Sequence, residues 1–192
     1  MTATAFSIKN RLTDDEFFEL CRMNDLRMER TKTGNITIME PTGGETGNFN
    51  FEVGGELRDW NKSHKEGKAF DSSTGFKLPS TAIKSPDVAW VARERWEKLS
   101  IALRKKFPPI TPDFVIEIRS ESDSLEDLKE KMVEYMDNGC RLAWLIDREE
   151  QKTYIYRANS SYGEETVSFP DTLSGENVLV GFTLRINDLD WE

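Results

Sequence analysis

The sequence predicts an α/β domain built on a mixed sheet, and three observations carry that expectation. Helical and strand periodicities alternate along the chain, neither an internal repeat nor a Gly/Ser linker divides it, and 192 residues suit one hydrophobic core. A chain of this length buries about 70% of the surface that it exposes when unfolded, so residues 1–192 are expected to form a single domain.

Each element has its own signal. Residues 12–23 set Leu12, Phe17, Leu20 and Met23 at helical spacing, with Thr13 as N-cap before Asp14, Asp15 and Glu16. Residues 35–39 alternate as a strand that ends at Pro41-Thr42-Gly43-Gly44. A helix over roughly 45–65 carries Phe51, Leu57 and Trp60. Gly47, Gly54 and Gly55 weaken it by about 1 kcal/mol each relative to alanine.

Residues 69–91 read as a hairpin turning near Pro79-Ser80, and 92–106 as a helix stopped by Pro108-Pro109. Strand 113–119 places Phe114, Ile116 and Ile118 on one face and Val115, Glu117 and Arg119 on the other. The clearest helix spans 124–138: Asp123 and Glu126 stand in capping-box relation, Leu125, Leu128, Met132, Tyr135 and Met136 form an apolar stripe, and Gly139 stops it. Strands over 142–146, 153–156 and 178–184 complete the pattern.

Composition excludes several classes of protein. Eleven Phe and five Trp, with 37% apolar residues, are too much for a disordered chain. No run reaches the roughly 20 apolar residues that cross a bilayer, and the opening residues lack a basic-then-apolar leader, so no membrane partner and a cytoplasmic location are expected. Cys21 and Cys140 stand far apart and read as buried free thiols. His64 is the only histidine, which rules out a two-histidine zinc site, and it reads as an exposed residue and not as the base of a Ser-His-Asp triad. Core packing accounts for Trp90, Trp96, Trp144 and Tyr135.

A net charge of −9 argues against a nucleic-acid coat protein, whose affinity comes from Lys and Arg displacing counterions. It leaves room for a metal-dependent enzyme that needs clustered carboxylates. The basic stretches 58–68 and 104–106 offer local positive charge, or simply solvated helix faces.

Two acids stand out. Asp87 ends one strand-like segment after Pro86, and Glu117 lies inside an apolar strand thirty residues on. Phosphodiester hydrolysis uses a hard cation held by one or two carboxylates, and adjacent strands can present such a pair on rigid backbone. The spacing alone is generic: Asp87 as a turn cap, with Glu117 paired to Arg119 or a helix lysine, fits it equally.

The segments GGETGNFNFE (43–52), FDSSTGFKLP (70–79), SPDVAWVARERWEKL (85–99), PDFVIEIRSESDSLEDLKEKMVEYMDNG (112–139) and LAWLIDREEQKTYIYR (142–157) add a second line of argument. Together they closely resemble the large bacterial Uma-type family of restriction endonucleases, within the PD-(D/E)XK nuclease superfamily. The resemblance runs from about residue 12 to the tail.

That resemblance implies a restriction-endonuclease-like mixed β-sheet core flanked by helices, a Mg2+ site in which Mn2+ substitutes, and hydrolysis of DNA. It matches the family's Pro-Asp to Pro86-Asp87 and its second acid to Glu117. The superfamily's lysine two positions later is Arg119 here, and a guanidinium keeps its proton and cannot serve as a base, though it can steady charge. The family's substitute is a lysine of the following helix, which matches Lys131; helical geometry by itself leaves Lys129 open. A third metal ligand from the early helix is assigned to Glu52, with Glu45 behind it.

The reading is thus a Mg2+-dependent DNA endonuclease in which Asp87, Glu117 and Glu52 bind metal, Lys131 orients water and Arg119 steadies the site. A homodimer would cut both strands. The alternative is a catalytically idle relative that keeps the fold as a nucleic-acid-binding or protein-interaction module, which Arg119 and the acidic surface favour. A third is a structural domain with an internal Glu117–Arg119 pair.

Overall fold

The computed structural model describes residues 5–6, 12–158, 164–169 and 172–189. Along the chain run β1 (Ala5–Phe6), α1 (Asp14–Asn24), β2 (Met28–Arg30), β3 (Ile36–Ile38), α2 (Gly44–His64) and β4 (Gly67–Asp71). Then follow β5 (Phe76–Lys77), β6 (Ile83–Lys84), β7 (Val88–Ala92), α3 (Arg93–Glu97), α4 (Ile101–Arg104), β8 (Phe114–Arg119) and α5 (Leu125–Asp137). The chain closes with β9 (Leu142–Asp147), β10 (Lys152–Arg157), β11 (Glu164–Ser168), β12 (Leu173–Ser174), β13 (Thr183–Leu184) and a 3-10 turn over Ile186–Asp188.

The large sheet has the order β11-β10-β9-β8-β7-β4. Only β8 and β9 are parallel, because α5 carries the chain back over the sheet between them, while every other neighbouring pair is antiparallel. The sheet is therefore mixed, as the interleaved periodicities predict. A smaller antiparallel sheet, β1-β3-β2-β6-β5, lies beside it.

Side-chain alternation along β7, β8 and β9 divides the core in two. Phe114, Ile116 and Ile118 face α2 and the C-terminal segment, where Phe182 stacks on Trp144 at 5.9 Å. Val115, Ala89 and Leu145 face the other way, onto Met132 and Tyr135 of α5. Glu117 belongs to this second face by the same alternation, so a carboxylate points at a helix. A third, smaller cluster seats Phe17 of α1 on the small sheet.

Several expectations hold and others need correction. Thr13 closes the α1 capping box, its Oγ1 accepting from Glu16 N at 3.2 Å while Glu16 Oε2 accepts from Thr13 N at 2.7 Å. The α5 cap is Ser124, whose Oγ accepts from Asp127 N, whereas Asp123 turns back to accept from Ser120. Phe51 is 69% exposed; the buried face of α2 is Phe49, Val53, Leu57 and Trp60, which the glycine-rich sequence disguises.

The 69–91 hairpin is two nested pairs in different sheets, β4 with β7 outside and β5 with β6 inside. Its inner turn holds Thr81 at φ 75°. Residues 92–106 break into α3 and α4, because Ser100 caps a fresh start by accepting from Leu103 N. Of 178–184 only Thr183–Leu184 is strand, the rest folding into a turn closed by Leu179 N donating to Gly175 O at 2.9 Å. Cys140 is buried and Cys21 half-buried, both as free thiols. Among the described residues no helix is long and apolar enough to cross a membrane.

Gly67, where the chain leaves α2 for β4, has no room for a side chain: a Cβ there would lie 2.4 Å from both Trp90 Cε2 and the Val91 carbonyl oxygen. Gly67→Ala is expected to destabilise the fold by about 1–3 kcal/mol, seen as a lower denaturant midpoint at unchanged slope. An unshifted midpoint would mean that β4 and β7 separate easily.

Candidate active site

Chain geometry brings the two predicted acids together. Val88 pairs with Ile116 in the β7–β8 ladder, so Asp87 and Glu117 fall at the next position out, on strands that run in opposite directions. The ladder is replaced there by a side chain: Asp87 Oδ2 accepts from the Ile118 amide at 2.8 Å. Its other oxygen, Oδ1, accepts from Asn50 Nδ2 of α2 at 3.2 Å. The Asn50 carbonyl oxygen is itself buried and has no hydrogen-bond partner.

Glu117 is 3% exposed and aims at α5. Its Oε1 meets Lys131 Nζ at 2.8 Å and accepts from the Tyr135 hydroxyl at 3.0 Å. Lys131 and Tyr135 are four apart, hence one above the other on a helix face, and both reach the same oxygen. Lys131 also meets Glu29 Oε1 of β2 at 2.8 Å and donates to the Ser85 carbonyl at 3.4 Å. An ammonium has three protons to give, and here each has a taker.

Glu29 ties the small sheet into this centre. Its Oε1 also accepts from Ser85 N at 2.9 Å, and Lys84 stands 3.6 Å from Oε2. Ser85, Pro86 and Asp87 form the short bridge by which the chain crosses from β6 to β7. Glu29 and Lys131 thus grip the backbone that positions Asp87.

Three carboxylates around one ammonium do not share a site at equal charge. Burial pushes the Glu117 carboxyl up to about 8; Lys131 opposes the rise, and the charges of Asp87 and Glu29 add to it. Burial likewise raises Asp87, against the pull of the Ile118 amide, Lys131 and Arg27. Glu29, despite burial, is held below its usual range by Lys131 and Lys84. Burial disfavours the Lys131 charge, but Glu117 and Glu29 outweigh it and keep the amine protonated well above neutrality. The centre is therefore short of positive charge, and both Glu117 and Asp87 are pushed toward the protonated form.

The remaining sequence-predicted residues lie elsewhere. Arg119 follows Glu117 on the same face but turns to Asp147 of the next strand, with NH1 2.8 Å from Oδ2, while its Nε donates to the Asp123 carbonyl. The described contacts of Arg119 include neither Asp87 nor Glu117, so Glu117 is paired with helix lysine Lys131 and not with its strand neighbour. Lys129 sits over the Tyr154 ring, 4.1 Å from its centroid. Glu52 and Glu45 are exposed on α2, and Glu52 lies about 200° around the helix from Asn50, on the side away from Asp87. His64 is exposed, its ring stacked on Trp60.

Glu29, Asn50 and the Tyr135 hydroxyl were not singled out by the sequence. Glu29 lies in Met-Glu-Arg, too short and polar to announce a strand. Asn50 is one step along α2 from Phe49, so correct phasing of that helix would have placed it toward the sheet.

Asp87, Glu117 and the unpartnered Asn50 oxygen offer only hard oxygen donors, the type of ligand that magnesium takes, with water completing its shell. Among the described residues no group of three or more Asp, Glu, His or Cys is placed to hold a metal.

The chain is similar to known proteins in two ways. A family model described as "Uma2: Putative restriction endonuclease" matches residues 14–187. A solved structure described as a "putative nuclease belonging to DUF820" from Anabaena variabilis ATCC 29413 superposes with a TM-score of 0.75 at 22% identity, covering 93% of this chain and 97% of that one. That likeness establishes a shared fold. A DrdV-DNA complex also matches, with a TM-score of 0.36 at 14% identity over 59% of this chain and 9% of that one. No protein with curated annotation matches significantly.

The raised Glu117 carboxyl sets a pH dependence. Unfolded, it binds its proton only below about 4.5, whereas folded it holds it to about 8. The native state therefore binds more protons between those values, and this group's stabilisation, complete below the lower value, is lost as pH rises through the upper. Glu117→Gln is expected to flatten that decline in unfolding experiments run across the window. The same slope in the variant would show that Glu117 is ionised in the native protein throughout.

Proposed function

From the premise that the chain belongs to the Uma2 family, we propose that it is a Mg2+-dependent endonuclease hydrolysing DNA phosphodiester bonds. The observation that carries this is the meeting of Asp87 and Glu117 across β7 and β8 with Lys131 on Glu117. The acid pair supplies ligands, and the lysine supplies a cation that keeps its proton.

A magnesium ion held by Asp87 and Glu117, with the Asn50 oxygen beside it, would neutralise phosphate charge and acidify the attacking water. Manganese substitutes for it. Asp87 is oriented by the Ile118 amide and Asn50, so its free lone pairs point in a fixed direction. Lys131 acts as a cation and not as a base, because Glu117 and Glu29 hold it protonated; turning one N–H from the Ser85 carbonyl, its longest contact at 3.4 Å, would let it bind the water and offset charge that develops on phosphorus oxygens. Glu29 and Tyr135 orient Lys131 and Glu117. In the net reaction, water oxygen bonds to phosphorus and one ester P–O bond breaks, leaving a phosphomonoester and a hydroxyl.

Glu52 and Arg119 have lesser parts in this proposal. Glu52 reaches the ion only if α2 turns, and Arg119 steadies the end of β8 through Asp147. Cutting both strands calls for two such chains, and sedimentation measures whether they pair.

Asp87→Ala and Glu117→Ala are expected to abolish magnesium-dependent cleavage of plasmid DNA, and Lys131→Met to slow it by about 10²–10³-fold, with native circular dichroism retained. Undiminished cleavage by folded variants refutes the assignment. The competing reading, an idle module of the same fold, draws on the closed salt-bridge cluster around Lys131. Melting separates the two: an active centre gains about 2.7 kcal/mol at a magnesium concentration one hundred times Kd, dependent on both acids, and an idle one gains nothing saturable.

A further inference from the structure

A cleft of about 510 Å³ opens between α2 and the β4–β7 edge of the large sheet, and Asp87 lies in its wall. Its α2 wall includes Gly47, Gly54 and Gly55. Internal packing does not demand these glycines: a Cβ on Gly55 would meet nothing within 4 Å, and on Gly54 only Val88 Cγ2 at 3.8 Å. Three glycines in one helix sacrifice about 1 kcal/mol each, and what they leave is room in the cleft.

The polar groups in the cleft are incompletely paired. Arg27 Nε is buried without a hydrogen-bond partner, as is the Asn50 carbonyl oxygen. Arg27 and Asp87 both line this cleft. Arg58 adds a second, exposed cation on the same wall. Phe51, which the sequence singles out on this helix with Leu57 and Trp60, is 69% exposed and lines the opening.

A guanidinium with an unpartnered Nε and an exposed aromatic ring around one cavity match the phosphate and the base of a nucleotide. We infer that the cleft receives a single unpaired nucleotide of a DNA strand beside the metal site, with its phosphate on Arg27 and its base against Phe51. The inference rests on the endonuclease reading for the identity of the polymer. A cleft of about 510 Å³ has the size of a small-ligand pocket, enough for one nucleotide and too small to enclose a duplex. Stacking on Phe51 tolerates any base, so the cleft selects strand form and not sequence.

The test uses the full chain with calcium in place of magnesium. Fluorescence anisotropy compares a short labelled single strand with the same sequence as a blunt duplex, and plasmid and single-strand cleavage are followed in magnesium. The single strand is expected to bind more tightly. Phe51→Ala and Arg27→Ala should weaken single-strand binding by about tenfold and leave duplex binding nearly unchanged. Arg58→Ala, at an exposed position, checks the phosphate contact if Arg27→Ala melts early. Equal or tighter duplex binding, or single-strand binding indifferent to Phe51 and to both arginines, overturns the inference. Variant-sensitive strand binding without any cleavage sinks the endonuclease reading and leaves the cleft; cleavage with variant-insensitive binding does the reverse.

Discussion

A single buried ammonium holds the molecule's centre together. Lys131 comes from α5, Glu117 from the large sheet, Glu29 from the small one and the Ser85 carbonyl from the bridge between them. Taking one ammonium and two carboxylates out of water costs several kcal/mol per ion, and only complete hydrogen bonding offsets it. That demand fixes the geometry: a misplaced partner would leave a buried charge unmet, so the four segments must meet in one arrangement. Buried ion clusters are often no more stabilising than well-packed apolar side chains of similar volume, so the geometric demand is the main consequence.

The same constraint explains why the acids sit where the ladder between β7 and β8 gives out. Within a ladder a backbone amide is occupied, but at its end the Ile118 N–H is free to bind Asp87. Beyond it the chain must cross to the other sheet through Pro86, whose fixed φ stiffens the crossing. Rigid elements therefore flank every group in the centre, and the aromatic layer of Phe114, Trp144 and Phe182 supports the sheet from behind.

Much of this was legible in the sequence, for identifiable reasons. Strand 113–119 declares itself because strict alternation lets only one assignment bury Phe114, Ile116 and Ile118, and that assignment forces Glu117 onto the opposite face. The α5 stripe is equally clear, and it carries Lys131 beside Tyr135. Where periodicity is diluted, reading fails. Glycines in α2 blur its phase, so the sequence singles out Phe51 with Leu57 and Trp60 and does not mark Phe49, Val53 or Asn50. The small sheet is built from strands of two or three residues, too short for a period to register, and Glu29 went with it. The destination of Arg119 depended on Asp147 of a neighbouring strand, a contact set by parallel register and not by local sequence.

The glycines of α2 set stability against access. Ordinary stabilisation by consensus or design would exchange Gly54 and Gly55 for alanine, gain helix propensity and find no clash to forbid it. Each added methyl would stand on a residue that lines the opening beside Asp87. A thermostable version made in that way would keep its fold and its charge cluster while narrowing the approach to them, so the weakest helix-formers in the chain belong to the features that evolution would have to preserve if entry matters.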